Sequence, residues 1–132
     1  MPQATLVMFQ DGKKHAPLDA WLSGLESKPR KSAEHRAYVK CLALVRILAA
    51  QGYEMRRPLA DTLRDGIYEL RARIGKVNYR ILYSFCGKNA VVLTHGLTKE
   101  DEVPDDEIDA AIAMRDLVLS NPGKYSVTWK RK

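Results

Sequence analysis

Apolar residues recur along this chain in two periods, and the change from one to the other divides it into elements. Ala4 to Phe9 is a short, partly β-branched run that stops at Asp11-Gly12, a turn signal, and predicts a first strand. Leu18, Trp21, Leu22 and Leu25 fall at i, i+3, i+4 and i+7 behind Pro17, a residue suited to the first helical position, so a short amphipathic helix follows. Pro29 can open a second, longer helix in the same way. Tyr38, Leu42, Val45 and Ala49 form its apolar stripe, and Gly52 is placed to stop it.

Residues 53–66 lose the helical period at Pro58 and end on Asp65-Gly66, which reads as a linker with room for one helical turn. A period of two then takes over. From Ile67 to Ile74, Tyr68, Leu70, Ala72 and Ile74 share one side of a strand, and Ile67, Glu69, Arg71 and Arg73 share the other. Gly75-Lys76 turns the chain. In the next strand Val77, Tyr79, Ile81, Tyr83 and Phe85 alternate with Asn78, Arg80, Leu82 and Ser84, and the aromatic side is the natural core side. Residues 86–89 make another hairpin turn, and Ala90 to Thr94 run on into His95-Gly96-Leu97-Thr98-Lys99 as a further strand.

Pro104 opens a last helix with Ile108, Ala111, Ile112 and Leu119 as its buried stripe, and Asn121-Pro122-Gly123 ends it. The order β-α-α-β-β-β-α predicts a single α+β domain over 1–123, helices packed on a mostly antiparallel sheet. Residues 124–132 form a basic tail with Tyr125 and Trp129, set apart as a segment that a partner could order.

A chain of 132 residues, 45% hydrophobic, fits one compact domain and excludes disorder and collagen-like architecture. No apolar run approaches the ~20 residues a bilayer needs, and the first ten residues carry neither a basic leader nor a cleavage site. A soluble, cytoplasmic protein with no membrane partner is expected. Cys41 and Cys86 read as reduced thiols. Charge says more. The net charge is +6, yet residues 100–120 hold one basic and eight acidic side chains, so the remainder is strongly basic. Asp105, Asp106 and Glu107 in that stretch fall in the first turn of the last helix, where carboxylates complement its dipole. If the basic groups share a surface they attract a polyanion, nucleic acid first; if they do not, they only aid solubility.

The strands carry the candidate chemistry. Arg71 and Arg73 share a face, and a register that adds Arg80 would border one phosphate-binding patch with three guanidinium groups. The alternative is that they pair with Glu69 or line a solvated face. Arginine cannot act as a base near neutrality, so proton transfer falls to His95, Glu69 or Lys99. Strict alternation puts His95 on the side of Val91 and Leu93, unless Gly96 relaxes the strand through a bulge. Tyr83 could stack on a base, although its spacing favours the core. The three histidines show no metal-ligand spacing, the Gly-Lys pairs lack the context of a phosphate loop, and no G-x-S-x-G occurs.

From Leu63 to Leu119 the segments Asp65-Gly66-Ile67-Tyr68-Glu69-Leu70-Arg71, Tyr79-Arg80-Ile81-Leu82-Tyr83, Val92-Leu93-Thr94-His95-Gly96-Leu97-Thr98-Lys99 and Pro104-x-x-Glu107-Ile108-x-x-Ala111 follow in a fixed order. In that order the chain resembles HigB-type toxins of the RelE/ParE superfamily, phage-derived relatives included. The resemblance implies a RelE-like fold and a type II toxin that cleaves mRNA on the ribosome, needs no metal or other cofactor, and is silenced by a helix-turn-helix antitoxin. It also implies catalytic roles for Arg71, Arg80, His95 and Lys99. Arg64, Arg73, Lys76 and Tyr83 complete a candidate RNA-binding set from the strand and turn reading. Glu100-Asp101-Glu102 stands where the family commonly has basic residues, and Leu97 where it often has an aromatic one. A gyrase-binding toxin of the ParE kind and an RNA-binding domain without catalysis remain the alternatives.

Overall fold

The hairpin predicted at Gly75-Lys76 lies inside the sheet of the computed structural model, which describes residues 4–87, 89–99 and 101–131. The elements run β1 (Thr5–Phe9), α1 (Pro17–Glu26), α2 (Ala33–Gln51), a 3-10 turn (Gly52–Glu54), β2 (Ala60–Thr62), β3 (Ile67–Ile74), β4 (Val77–Cys86), β5 (Ala90–Lys99), α3 (Asp105–Ser120), α4 (Pro122–Tyr125) and β6 (Ser126–Thr128). The sheet order is β2-β3-β4-β5-β1-β6, with β1 parallel to β5 and the other neighbours antiparallel. This is the expected single α+β domain, consistent with a RelE-like fold.

The two sheet faces are covered unequally. On the helical face, α1 and α2 bury Leu18, Leu22, Val45 and Leu48 against Leu70, Ile81 and Leu93. Each such side chain taken fully from water contributes roughly 2 kcal/mol, which is why the helices dock here. The opposite face receives α3 alone, through Ile108 and Ala111 on Ile67, Leu82 and Leu97, and through Val118 beside Phe9 and Val92. Past the start of α3 this face carries polar side chains of β3 and β4, of which Glu69, Asn78 and Arg80 are buried and Arg71 is part-exposed.

Four expectations are corrected. Helix α2 starts at Ala33, because Ser32 caps it: Ser32 Oγ accepts the His35 N–H at 3.1 Å, while the Ser32 N–H and hydroxyl donate to the Pro29 carbonyl. Proline thus shapes the lead-in turn, not the first helical residue. Leu119 is 57% exposed, and Val118 takes the buried place, a one-residue rotation of the stripe. The linker contributes β2, a three-residue edge strand paired with β3.

The tail is the largest correction. It does not stand apart: Val7, Met8 and Phe9 pair with Thr128, Val127 and Ser126 as β6 joins the sheet. Arg131 then reaches Asp19, Ser23 and Tyr38 on α1 and α2, at 2.9, 2.7 and 3.0 Å. The basic charge at the end of the chain is spent in part on an internal clasp.

Candidate functional site

A two-residue hairpin turn fixes register, since Ile74 opposite Val77 forces Arg71 opposite Arg80 three steps back. Directly opposed side chains on one face have Cβ atoms about 5 Å apart, so two like charges there need a counter-ion. Glu69 supplies it. Its Oε1 lies 3.0 Å from Arg80 Nε and 3.3 Å from Arg71 Nε, and Asp61 Oδ2 on β2 lies 3.6 Å from Arg71 Nη2. Glu69 and Arg80 are almost wholly buried, whereas Arg71 is part-exposed.

The Arg80–Glu69 contact is one of proximity and charge. Arg80 Nε and Nη1, like Asn78 Oδ1, have no aligned hydrogen-bond partner among the described residues. These atoms lie out of solvent, so the Arg80 guanidinium is held against Glu69 by charge and not by an aligned hydrogen bond. Arg71, Arg80, Glu69 and Asp61 line one groove of about 480 Å³, closed at its far side by Glu102, Val103, Asp105 and Ile108 around the start of α3. The groove thus carries three arginines, counting Arg64, against four carboxylates. Arg57, donating to Asp61 at 2.9 Å, is the main reason the Asp61 carboxyl is held below the usual carboxylate range.

His95 reaches the groove's sheet face by a route that alternation alone does not reveal. Leu82 pairs with His95 but Tyr83 with Leu93, so Thr94 is an extra residue in β5. The bulge falls at Thr94, not at Gly96, and Thr94 Oγ1 donates to the Leu82 carbonyl at 3.1 Å. His95 is thereby moved off the side of Val91 and Leu93. Its Nε2 sits 3.1 Å from Glu107 Oε1 and its Nδ1 3.3 Å from Thr94 Oγ1, so it ties β5 to the first turn of α3 and does not line the groove.

The remaining candidates divide. Lys99 pairs through its backbone with Asn78 at the end of β5; its side chain lies outside the described residues, as does Glu100. Arg73 and Lys76 are exposed at the hairpin end, with Arg73 Nε donating to the Gly75 carbonyl. Arg64 is engaged by Asp109, Asp65 and Asp105 at 2.7, 2.9 and 3.3 Å, chiefly the first of these, and they push its pKa above the ordinary arginine value. Tyr83 does not line this groove. It is 1% exposed on the helical face, stacked on Tyr68, with the sheet between it and the arginines. Burial raises its hydroxyl pKa further.

The structure therefore brings Arg71 and Arg80 together on one carboxylate, sets His95 on the same face but against α3, and puts Tyr83 on the opposite face of the sheet. Asp61 escaped the sequence reading because β2 is too short to show a period. Among the described residues no group of three His, Cys, Asp or Glu is placed to hold a metal ion, and no helix is long and apolar enough to cross a membrane.

The model of one protein family, phage-derived protein Gp49-like (DUF891), matches residues 21–116. The chain belongs to this family. Gp49-like proteins fall within the HigB/RelE-like toxins, so the resemblance holds at the level of the superfamily. The match runs from Trp21 in α1 to Asp116 in α3 and includes every residue that lines the groove. No curated protein matches the chain. The Gp49-like assignment points to the toxin of a toxin-antitoxin pair, hence to an antitoxin partner.

Proposed function

We propose that this Gp49-like chain is a HigB-type toxin that cleaves messenger RNA on the ribosome and is silenced by a helix-turn-helix antitoxin. One observation carries the reading: Arg71 and Arg80 are opposed across a strand pair, share one carboxylate and line one groove. In the reaction a ribose 2′-oxygen attacks the adjacent phosphorus, an O–P bond forms, and the 5′-oxygen leaves. One proton departs from the 2′-hydroxyl and one must reach the leaving oxygen. The guanidinium groups bind the phosphate and neutralise the charge that grows on it.

Glu69 is the groove's own proton acceptor, lying between the two arginines. Its contacts to both Nε atoms orient it and them, which is positioning as well as chemistry. Lys99, at the end of β5, is the candidate for returning the proton; His95 acts at one remove by holding β5 to the first turn of α3, and Arg73 and Lys76, exposed at the hairpin end, bind flanking phosphates. The expected outcome is that expression of the chain arrests growth and that the purified protein cuts messenger RNA in ribosome-containing translation reactions. Arg80→Ala and Arg71→Ala lower cutting by at least about a hundredfold, as removal of a transition-state charge partner does. A folded wild type that leaves RNA whole sinks the proposal.

A second reading draws on the surplus of carboxylates around the groove. Under it the chain keeps the toxin scaffold and binds RNA or a partner without cutting. Steeply salt-dependent RNA binding with no strand scission selects this reading.

A further inference from the structure

A second hollow, of about 400 Å³, lies behind the edge strand β2 on the helical side of the sheet. Aromatic rings make up much of its lining. Tyr68, Tyr83 and Phe85 meet there with centroids 5.2 to 5.7 Å apart, Tyr83 buried at the base and the other two part-exposed. Tyr53, 58% exposed on the 3-10 turn, stands at the mouth. Arg56 and Arg57, both exposed, complete the rim. The lining's one carboxylate, Asp61, is already engaged by Arg57.

Rings beneath and guanidinium groups around the rim suit one class of ligand, a flat π-system that carries an anion. An unpaired nucleotide is such a ligand. Its base has a face for the tyrosines and its phosphate has a charge for the arginines. The hollow and the Arg71–Arg80 groove also share Asp61 and Thr62, so the two meet across β2. An RNA strand leaving the groove round this edge would deliver its next base there.

We infer that this hollow is a stacking subsite for the unpaired RNA base beside the scissile linkage, with Arg56 and Arg57 holding that nucleotide's phosphate. The choice of RNA as occupant rests on the cleavage reading; the ring-and-cation chemistry does not. Tyr53 is the sensitive position, because it is exposed and lies outside the packed core.

The test titrates the full chain, with isotope-labelled aromatic side chains, against a trinucleotide whose 2′-oxygens are methylated and so cannot attack. An abasic trinucleotide of equal charge is the control. Ring signals of Tyr53, Tyr68 and Phe85 are expected to shift with the base-bearing strand and to stay still with the abasic one. Tyr53→Ala weakens binding about tenfold, the contribution of one stacked base, and Tyr53→Phe restores it. Still rings, equal shifts with the abasic strand, or unchanged affinity in Tyr53→Ala overturn the inference. So does preferential binding of an acidic peptide, which would make the hollow a protein-docking site. Cutting without ring shifts overturns the subsite and spares the cleavage reading; ring shifts in a wild type that cuts nothing do the reverse.

Discussion

The Trp21 indole occupies the space where a side chain on Gly96 would begin, so α1 lies against the bare backbone of β5 one residue beyond His95. Any Cβ at that position would overlap the ring, which has its own neighbours in the core. Glycine is required here for close approach, not for a turn.

Gly96→Ala should therefore destabilise the protein by about 2 kcal/mol, within the range for overpacking a filled site. Adding Trp21→Leu opens the space, and the alanine then costs much less than it does alone. Urea unfolding of the two single variants and the double variant measures this. Strict additivity would show that the indole is not what excludes the side chain.

Glu69 holds two cations that would otherwise face each other. Glu69→Ala leaves Arg80 buried without its counter-charge and should lower stability by about 3 kcal/mol, as breaking one side of a buried pair does. Inorganic phosphate should recover part of the loss if the freed guanidinium groups accept an anion. An unchanged unfolding midpoint would show that the carboxylate contributes nothing net.

Arg131 reaches Asp19, Ser23 and Tyr38 from beyond β6, and the Tyr38 ring lies 5.6 Å from its guanidinium carbon. Arg131→Ala should cost about 1 kcal/mol, the net worth of a charge-assisted bond with part-exposed partners. Thermal unfolding reads this as a fall of a few degrees. An unaltered melting temperature would mean that the clasp is not populated in solution.

Burial pushes the Cys41 thiol up to about 12 from an ordinary value near 9, and desolvation is the leading cause. The native protein should therefore resist thiol reagents at Cys41 near neutral pH, whereas urea-unfolded chain reacts fully. The linkage has a definite sign. Because the folded pKa is raised, this thiol costs no stability below about pH 9, and stability falls as the pH climbs from there through the folded value. Unfolding midpoints that rise above pH 9 would contradict the placement of Cys41.

Much of the scaffold was readable from the chain. The helical stripes around Leu22 and Val45, and the alternation from Ile67 to Phe85, follow from periods that local geometry imposes on buried side chains. The opposition of Arg71 to Arg80 was within reach too, because a two-residue turn at Gly75-Lys76 leaves no freedom in register.

Other features had no local signal. β2 and β6 are three residues long, too short to show a period, and exist because β3 and β1 offer unpaired edges. The bulge at Thr94 reverses which side His95 occupies through one unpaired residue, and its hydroxyl bond to Leu82 is made across strands. The engagement of Arg64 by α3, and the pairing of His95 with Glu107, join residues 45 and 12 positions apart.

The amino-acid sequence by itself determined the longer helices and strands and which faces of β3 and β4 carry cations, since those depend on neighbours a few bonds away. Only the tertiary structure decided which cations meet, which carboxylates hold them and where the second hollow opens, because charge and packing act through space between segments that the chain order keeps apart.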